Sequence, residues 1–205
     1  MLAILGGCAA DPAPASTTRT PSAASTTATP TSPPSKSRGT SAATPAARER
    51  PSGDPDRVVV TTPGGKELVD AELVSARLDD DGILAPSPGV VGWYAEAGWP
   101  KPGFPGTAIL AGHINTRKNG PDTFARLPQV RPGATVTVRY SSGDKVNFVV
   151  TRSKAVPKRQ TPKDDTIWDA NNPRPLLRLI TCDPTTPVKG GHYVGNWVVW
   201  ASPAR

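Results

Sequence analysis

Cys182 and His113 are the residues of this chain whose types and settings suit covalent chemistry. Cys182 closes the apolar run Leu176-Leu177-Arg178-Leu179-Ile180-Thr181-Cys182. About seventy residues earlier, His113 closes a second run, Thr107-Ala108-Ile109-Leu110-Ala111-Gly112-His113. Each run reads as a strand with one reactive group at its carboxyl end. A thiol must lose its proton to attack a carbonyl, and an imidazole can give or take that proton near neutral pH. Together they would do acyl transfer through a thioester, with Cys182 as nucleophile and His113 as acid and base. Each also has a bland reading, since free cysteines are among the most buried residues and a lone histidine after a strand is commonly structural.

The elements that must position this pair are mostly strands. Val, Ile, Thr and Trp dominate Arg57–Thr62, Leu68–Leu78, Thr107–Ile114, Thr135–Tyr140, Lys145–Ser153, Leu176–Thr181 and Trp197–Ala201, with a shorter piece near Gly82–Leu84. Ser141-Ser142-Gly143-Asp144 reads as a hairpin turn. The best helical stretch is short, Asp122 to Leu127, and is ended by Pro128. Seven or eight short strands between turn signals predict an all-β closed barrel or a sandwich.

The remainder of the chain differs in kind. Residues 9–56 are rich in Ser, Thr, Pro and Ala, which cannot bury enough surface to offset their ordering entropy, so a disordered spacer is expected. Residues 1–8 end in Leu5-Gly6-Gly7-Cys8, which resembles the lipobox of bacterial lipoproteins, although the basic and apolar regions of a full signal are short or missing. Cys8 is therefore the expected lipidation site; a disulfide between Cys8 and Cys182 is the competing reading. The folded domain is expected over residues 57–205.

The net charge is +7, and five basic and three acidic residues precede Asp56. No basic block with interleaved aromatics occurs, which argues against nucleic acid. A mild positive balance suits an anionic cell envelope. Two histidines and one domain cysteine cannot make a tetrahedral metal site without several carboxylates. Asp79-Asp80-Asp81-Gly82 has the wrong spacing for a calcium loop, and no phosphate cradle opens a helix. No cofactor or metal is expected.

In order and spacing these pieces resemble a sortase, a cysteine transpeptidase of Gram-positive cell surfaces. Arg178-Leu179-Ile180-Thr181-Cys182 is similar to the family's cysteine motif, and Ala111-Gly112-His113-Ile114-Asn115 to its histidine motif. Similarity to the actinobacterial class F type runs through Val91-Gly92-Trp93-Tyr94, Pro105-Gly106, Gly120 to Leu127 and Gly191 to Val199. The resemblance implies a closed eight-stranded sortase-type β-barrel with one or two short helices. It also implies cleavage of a cell-wall sorting peptide through a Cys thioester and transfer to an envelope amine or to water. Expected partners are sorting-signal peptides, the amine acceptor and, through Cys8, the membrane; the expected location is the outer face of the cell membrane, as a monomer. A peptidoglycan L,D-transpeptidase would show a Ser-His-Gly-Cys cluster, which is absent.

One departure stands out. The family's oxyanion-stabilising arginine falls at or near Val194, and valine has no side-chain donor. Arg178, on the same strand face as Cys182 but about 13 Å away along the strand, is a candidate substrate contact or oxyanion donor. Thr181 and His192 are further candidates, beside Lys189, and Trp168 could border a peptide groove. Asn115 stands where class F members usually carry Asp. If nothing replaces the arginine, the alternative function is a catalytically degraded sortase-fold lipoprotein that binds peptide or envelope components without turnover.

Overall fold

The computed structural model describes residues 50–116, 118 and 120–204. Cys8, residues 1–8 and most of the expected spacer lie outside the described residues.

Among the described residues twelve strands follow in chain order: β1 Pro55–Thr61, β2 Glu67–Ala76, β3 Val91–Tyr94, β4 Gly106–Ala111, β5 Asn115–Thr116, β6 Gly120–Pro121, β7 Thr135–Tyr140, β8 Lys145–Pro157, β9 Pro175–Cys182, β10 Val188–Lys189, β11 His192–Tyr193 and β12 Gly195–Pro203. Eight of them close a barrel in the order β1-β2-β3-β4-β9-β12-β8-β7, while β5–β6 and β10–β11 form two small hairpins. Closure leaves no free edge among the eight, and side chains of one parity fill the interior. Val58, Val60, Val136, Val138, Ala108, Leu110, Leu177, Leu179 and Val199 all belong to that inner core. Among the described residues the only helical pieces are two 3-10 turns, Leu127–Gln129 and Thr161–Lys163.

A second apolar layer lies outside the barrel. Ile109, Val198 and Trp200 from the strands pack with Ile167 and Trp168 from the segment between β8 and β9, together with Tyr94 and Trp99. Tyr94, Trp99 and Trp168 stack mutually with ring centroids 5.1 to 6.0 Å apart. This layer explains why all six residues of β4 are buried. Both faces of the strand are covered, so it reads as a continuous apolar run instead of alternating.

Two expectations are corrected. The eighth barrel strand is Val91–Tyr94, parallel to β2, whereas Gly82–Leu84 contributes only an isolated bridge between Leu78 and Leu84. Asp122 to Leu127 forms turns, and Pro128 sits in the 3-10 turn that follows. Residues 51–54 are tied to the barrel: Pro51 is buried, Ser52 donates its backbone N–H and hydroxyl to Asp144 at 2.9 and 3.1 Å, and Lys101 donates to the Gly53 carbonyl at 2.9 Å. Polar contacts with distant residues hold this segment, which carries few apolar side chains.

One irregularity matters later. The register between β8 and β12 shifts between Trp200 and Ala201, whose partners are Arg152 and Val150, leaving Thr151 as a bulge. Before it, Phe148 and Val150 face the inner core; after it, Val156 belongs to the outer layer. The bulge thus changes which residues of β8 face outward.

Candidate active site

β4 and β9 are adjacent and parallel, with Ala111 paired to Ile180. The ladder runs on through Gly112 N–H to the Ile180 carbonyl at 3.2 Å. Carried two residues past Ala111, this register would bring His113 level with Cys182 at the carboxyl ends of neighbouring strands. Cys182 is a free, half-buried thiol on the outer face, because Leu177, Leu179 and Thr181 take the inward positions.

The sequence around His113 is built to hold its ring. Pro86 carbonyl oxygen lies 2.8 Å from Nε2. A carbonyl can only accept, so Nε2 donates to it, and Nδ1 is left free of this bond. Pro86 can come this close because Gly92 on β3 lacks a side chain: a Cβ there would lie 2.6 Å from Ala76 Cβ and 3.1 Å from Pro86 Cβ. The same loop is pinned further along, where Asp122 accepts the Gly89 and Thr123 backbone N–H groups at 3.0 and 2.7 Å. Gly112, just before the histidine, packs against the Phe124 ring, and a Cβ there would meet it at 2.8 Å. The Phe124 N–H in turn donates to the His113 carbonyl at 2.9 Å. The Gly120-to-Leu127 motif thus serves as a brace for the histidine loop.

On the cysteine side, Asp183 is fully buried. It accepts the Thr185 N–H and hydroxyl at 3.0 and 2.8 Å and so fixes the turn that leaves the strand. The two hairpins beyond His113 and Cys182 meet where Asn115 donates to the Tyr193 hydroxyl at 3.0 Å. Asn115 therefore braces the rim and makes no bond to His113 among the described residues.

The other expected site residues are placed as follows. Arg178 is buried, with Nε 2.7 Å from the Thr166 carbonyl and a terminal nitrogen 2.8 and 3.4 Å from the carbonyls of Leu177 and Ala201. Burial, with Arg152 nearby, lowers its pKa to about 10. Its guanidinium is spent on backbone carbonyls four residues from the thiol, beneath the segment that carries Thr166. Thr181 points into the barrel, away from the sulfur's face, and its buried hydroxyl has no partner among the described residues. His192 and Lys189 are exposed on the β10–β11 hairpin. Trp168 donates to the Thr161 carbonyl at 2.8 Å and belongs to the outer layer.

Sequence inspection missed two residues at the thiol. The strand partner of Cys182 on β12 is Asn196, not Val194, and its amide donates to Thr161 Oγ1 at 3.0 Å. Lys158, immediately after β8, places Nζ 4.0 Å from Cys182 Sγ, within donor range for sulfur. No motif flags Lys158. Alternation read from Phe148 and Val150 would even put it on the inner face, and the bulge at Thr151 reverses that.

The result is a closed β-barrel with a free thiol at the end of β9 and an imidazole just beyond the end of the neighbouring parallel strand β4. The family model described as a sortase domain matches residues 55–204, and the chain belongs to the sortase family. No curated protein matches it significantly. Among solved structures it is similar to sortase A from Corynebacterium diphtheriae, at 18% identity over 77% of this chain and 62% of that one, with a TM-score of 0.48. It is also similar to sortase C-1 from Actinomyces oris, at 19% identity over 74% and 76% of the two chains and a TM-score of 0.49. A Clostridium perfringens sortase D5 transpeptidase shares 13% identity over 73% and 79%, with a TM-score of 0.47. The chain thus spans under two thirds of the Corynebacterium sortase A chain.

Proposed function

We propose that this protein is a class F-like, actinobacterial sortase: a thiol transpeptidase or endopeptidase that cleaves a sorting peptide and passes its acyl group to an envelope amine or to water. The observation that carries the reading is the parallel register of β4 and β9, which, carried two residues past Ala111, would bring His113 level with Cys182. The thiol proton passes to the imidazole, and the thiolate attacks the scissile carbonyl, forming the C–S bond. As the tetrahedral adduct collapses, the C–N bond breaks and the leaving amine takes the proton from His113. An incoming amine or water then gives its proton to His113 as its nitrogen or oxygen bonds to the thioester carbon; the C–S bond breaks, and the proton returns from His113 to the sulfur. The Pro86 carbonyl orients the ring throughout by holding the Nε2 proton.

Val194 favours the second reading, a sortase-fold protein that binds peptides without turnover. Incubating the protein with a library of sorting-type pentapeptides, followed by intact mass, separates the two. A hydroxylamine-labile adduct on Cys182 that is lost in Cys182→Ala supports the enzyme; retained peptide without any adduct supports the binder. A location at the extracellular face of the cell membrane, with Cys8 as a lipid anchor, completes the proposal and rests on Leu5-Gly6-Gly7-Cys8 alone.

A further inference from the structure

We propose that Lys158 is the cation of the active centre, pairing with the Cys182 thiolate and donating to the oxyanion of the acyl adduct; this rests on the acyl-transfer reading above. The geometry comes from the sheet order. β12 lies between β8 and β9, so Lys158 and Cys182 stand two strand spacings apart, about 10 Å between backbones. The four-carbon stem of a lysine covers most of that distance, and Nζ ends 4.0 Å from Sγ.

The face is set independently. Asn196 pairs with Cys182 on one side and with Val156 on the other, so all three share the outer face. Lys158 follows Val156 by two residues and keeps its parity. Its backbone N–H donates to the Val194 carbonyl at 3.0 Å, which continues the β8–β12 ladder by one residue. Val194, just before β12, therefore lies directly across from Lys158, just after β8.

The lysine is also held in place. Pro157 carbonyl accepts the Gln160 N–H at 2.8 Å and the Thr161 hydroxyl at 3.4 Å, and Asn196 clamps that hydroxyl from the neighbouring strand. Lys158 is half-buried, and among the described residues no carboxylate forms an ion pair with it. Arg178 is committed elsewhere and Val194 cannot donate. In the reaction Lys158 keeps its proton: as the C–S bond forms and the carbonyl electrons move to oxygen, the ammonium donates to that oxygen, while His113 alone carries the transferred proton.

Iodoacetamide is the probe, because it needs a thiolate and no peptide recognition. Alkylation of Cys182 in the full chain is followed by mass at pH 7 for the wild type, Lys158→Met and Lys158→Arg. The expected result is a slowing of about tenfold or more in Lys158→Met and a rate within a few-fold of wild type in Lys158→Arg, the charge being the shared property. With the pentapeptide library, Lys158→Met should form the acyl-enzyme about 10²–10³-fold more slowly, the usual loss for one oxyanion donor. A Lys158→Met protein that alkylates at the wild-type rate overturns the proposal. So does a Lys158→Arg protein as slow as Lys158→Met. The acyl-transfer reading fails separately, if the wild type alkylates readily yet forms no adduct with any peptide.

Discussion

At the scale of single residues, the candidate site is a small set of polar groups, each held by a named neighbour. The Pro86 carbonyl accepts from Nε2 of His113, and that leaves Nδ1 free of this bond. His113→Ala should reduce acyl-enzyme formation by about 10²–10⁴-fold, the usual contribution of a general acid–base, as read from the mass of the Cys182 adduct over time. Val194→Arg should give little gain in the wild-type background, because Lys158 already supplies a cation opposite that position. The same change in Lys158→Met should recover much of the lost rate, measured with the same peptides. Arg178 separates structure from chemistry. Its guanidinium serves three backbone carbonyls, and an unsatisfied buried acceptor costs about 1–3 kcal/mol, partly offset by removing a desolvated charge. Arg178→Ala should therefore lower the unfolding midpoint while the folded protein alkylates at Cys182 as the wild type does.

At the scale of elements, short loops rather than strands decide how the site is held. The strands β4 and β9 bring the two reactive residues to one end, but the imidazole is aimed by the loop carrying Pro86 and braced by Phe124. Two glycines permit these contacts, Gly92 and Gly112, and each would force a Cβ into a neighbour closer than 3 Å. Gly112→Ala should cost about 1–3 kcal/mol through overpacking against Phe124 and should slow acyl-enzyme formation by displacing His113. Thermal unfolding together with the peptide reaction tests both effects. The bulge at Thr151 acts similarly on the other side of the site: one extra residue turns the end of β8 and brings Lys158 onto the thiol's face.

At the scale of the whole molecule, the barrel closes partly through exposed carboxylates that tie distant segments. The hydrogen bond from Arg57, at 2.6 Å, holds Asp70 below the ordinary carboxylate range. The Ser52 backbone N–H, with the Ser142 and Ser52 hydroxyls, does the same for Asp144. A carboxylate with a depressed folded pKa contributes stability that is fully present above its unfolded value, near 3.8, and is lost as pH falls through the lower folded value. Stability should thus decline below about pH 4, and the double variant Asp70→Asn, Asp144→Asn should show a shallower acid decline in denaturant titrations across that range. The anchor is tested at this scale too. The full-length protein should partition into detergent from envelope fractions, and Cys8→Ala should remain in the aqueous phase.

The amino-acid sequence by itself determined the all-β class and the runs that became β4 and β9. Apolar periodicity and strand length carry that information locally. It did not reveal β3, a four-residue strand with a glycine whose only reason for pairing is what packs against it. Nor did composition show that Ser52 to Asp54 belong to the domain, since their partners lie some ninety residues away. The cation at the thiol was the least legible feature. Proximity across two strands depends on sheet order and on a one-residue bulge, and neither leaves a mark in the spacing of residues along the chain.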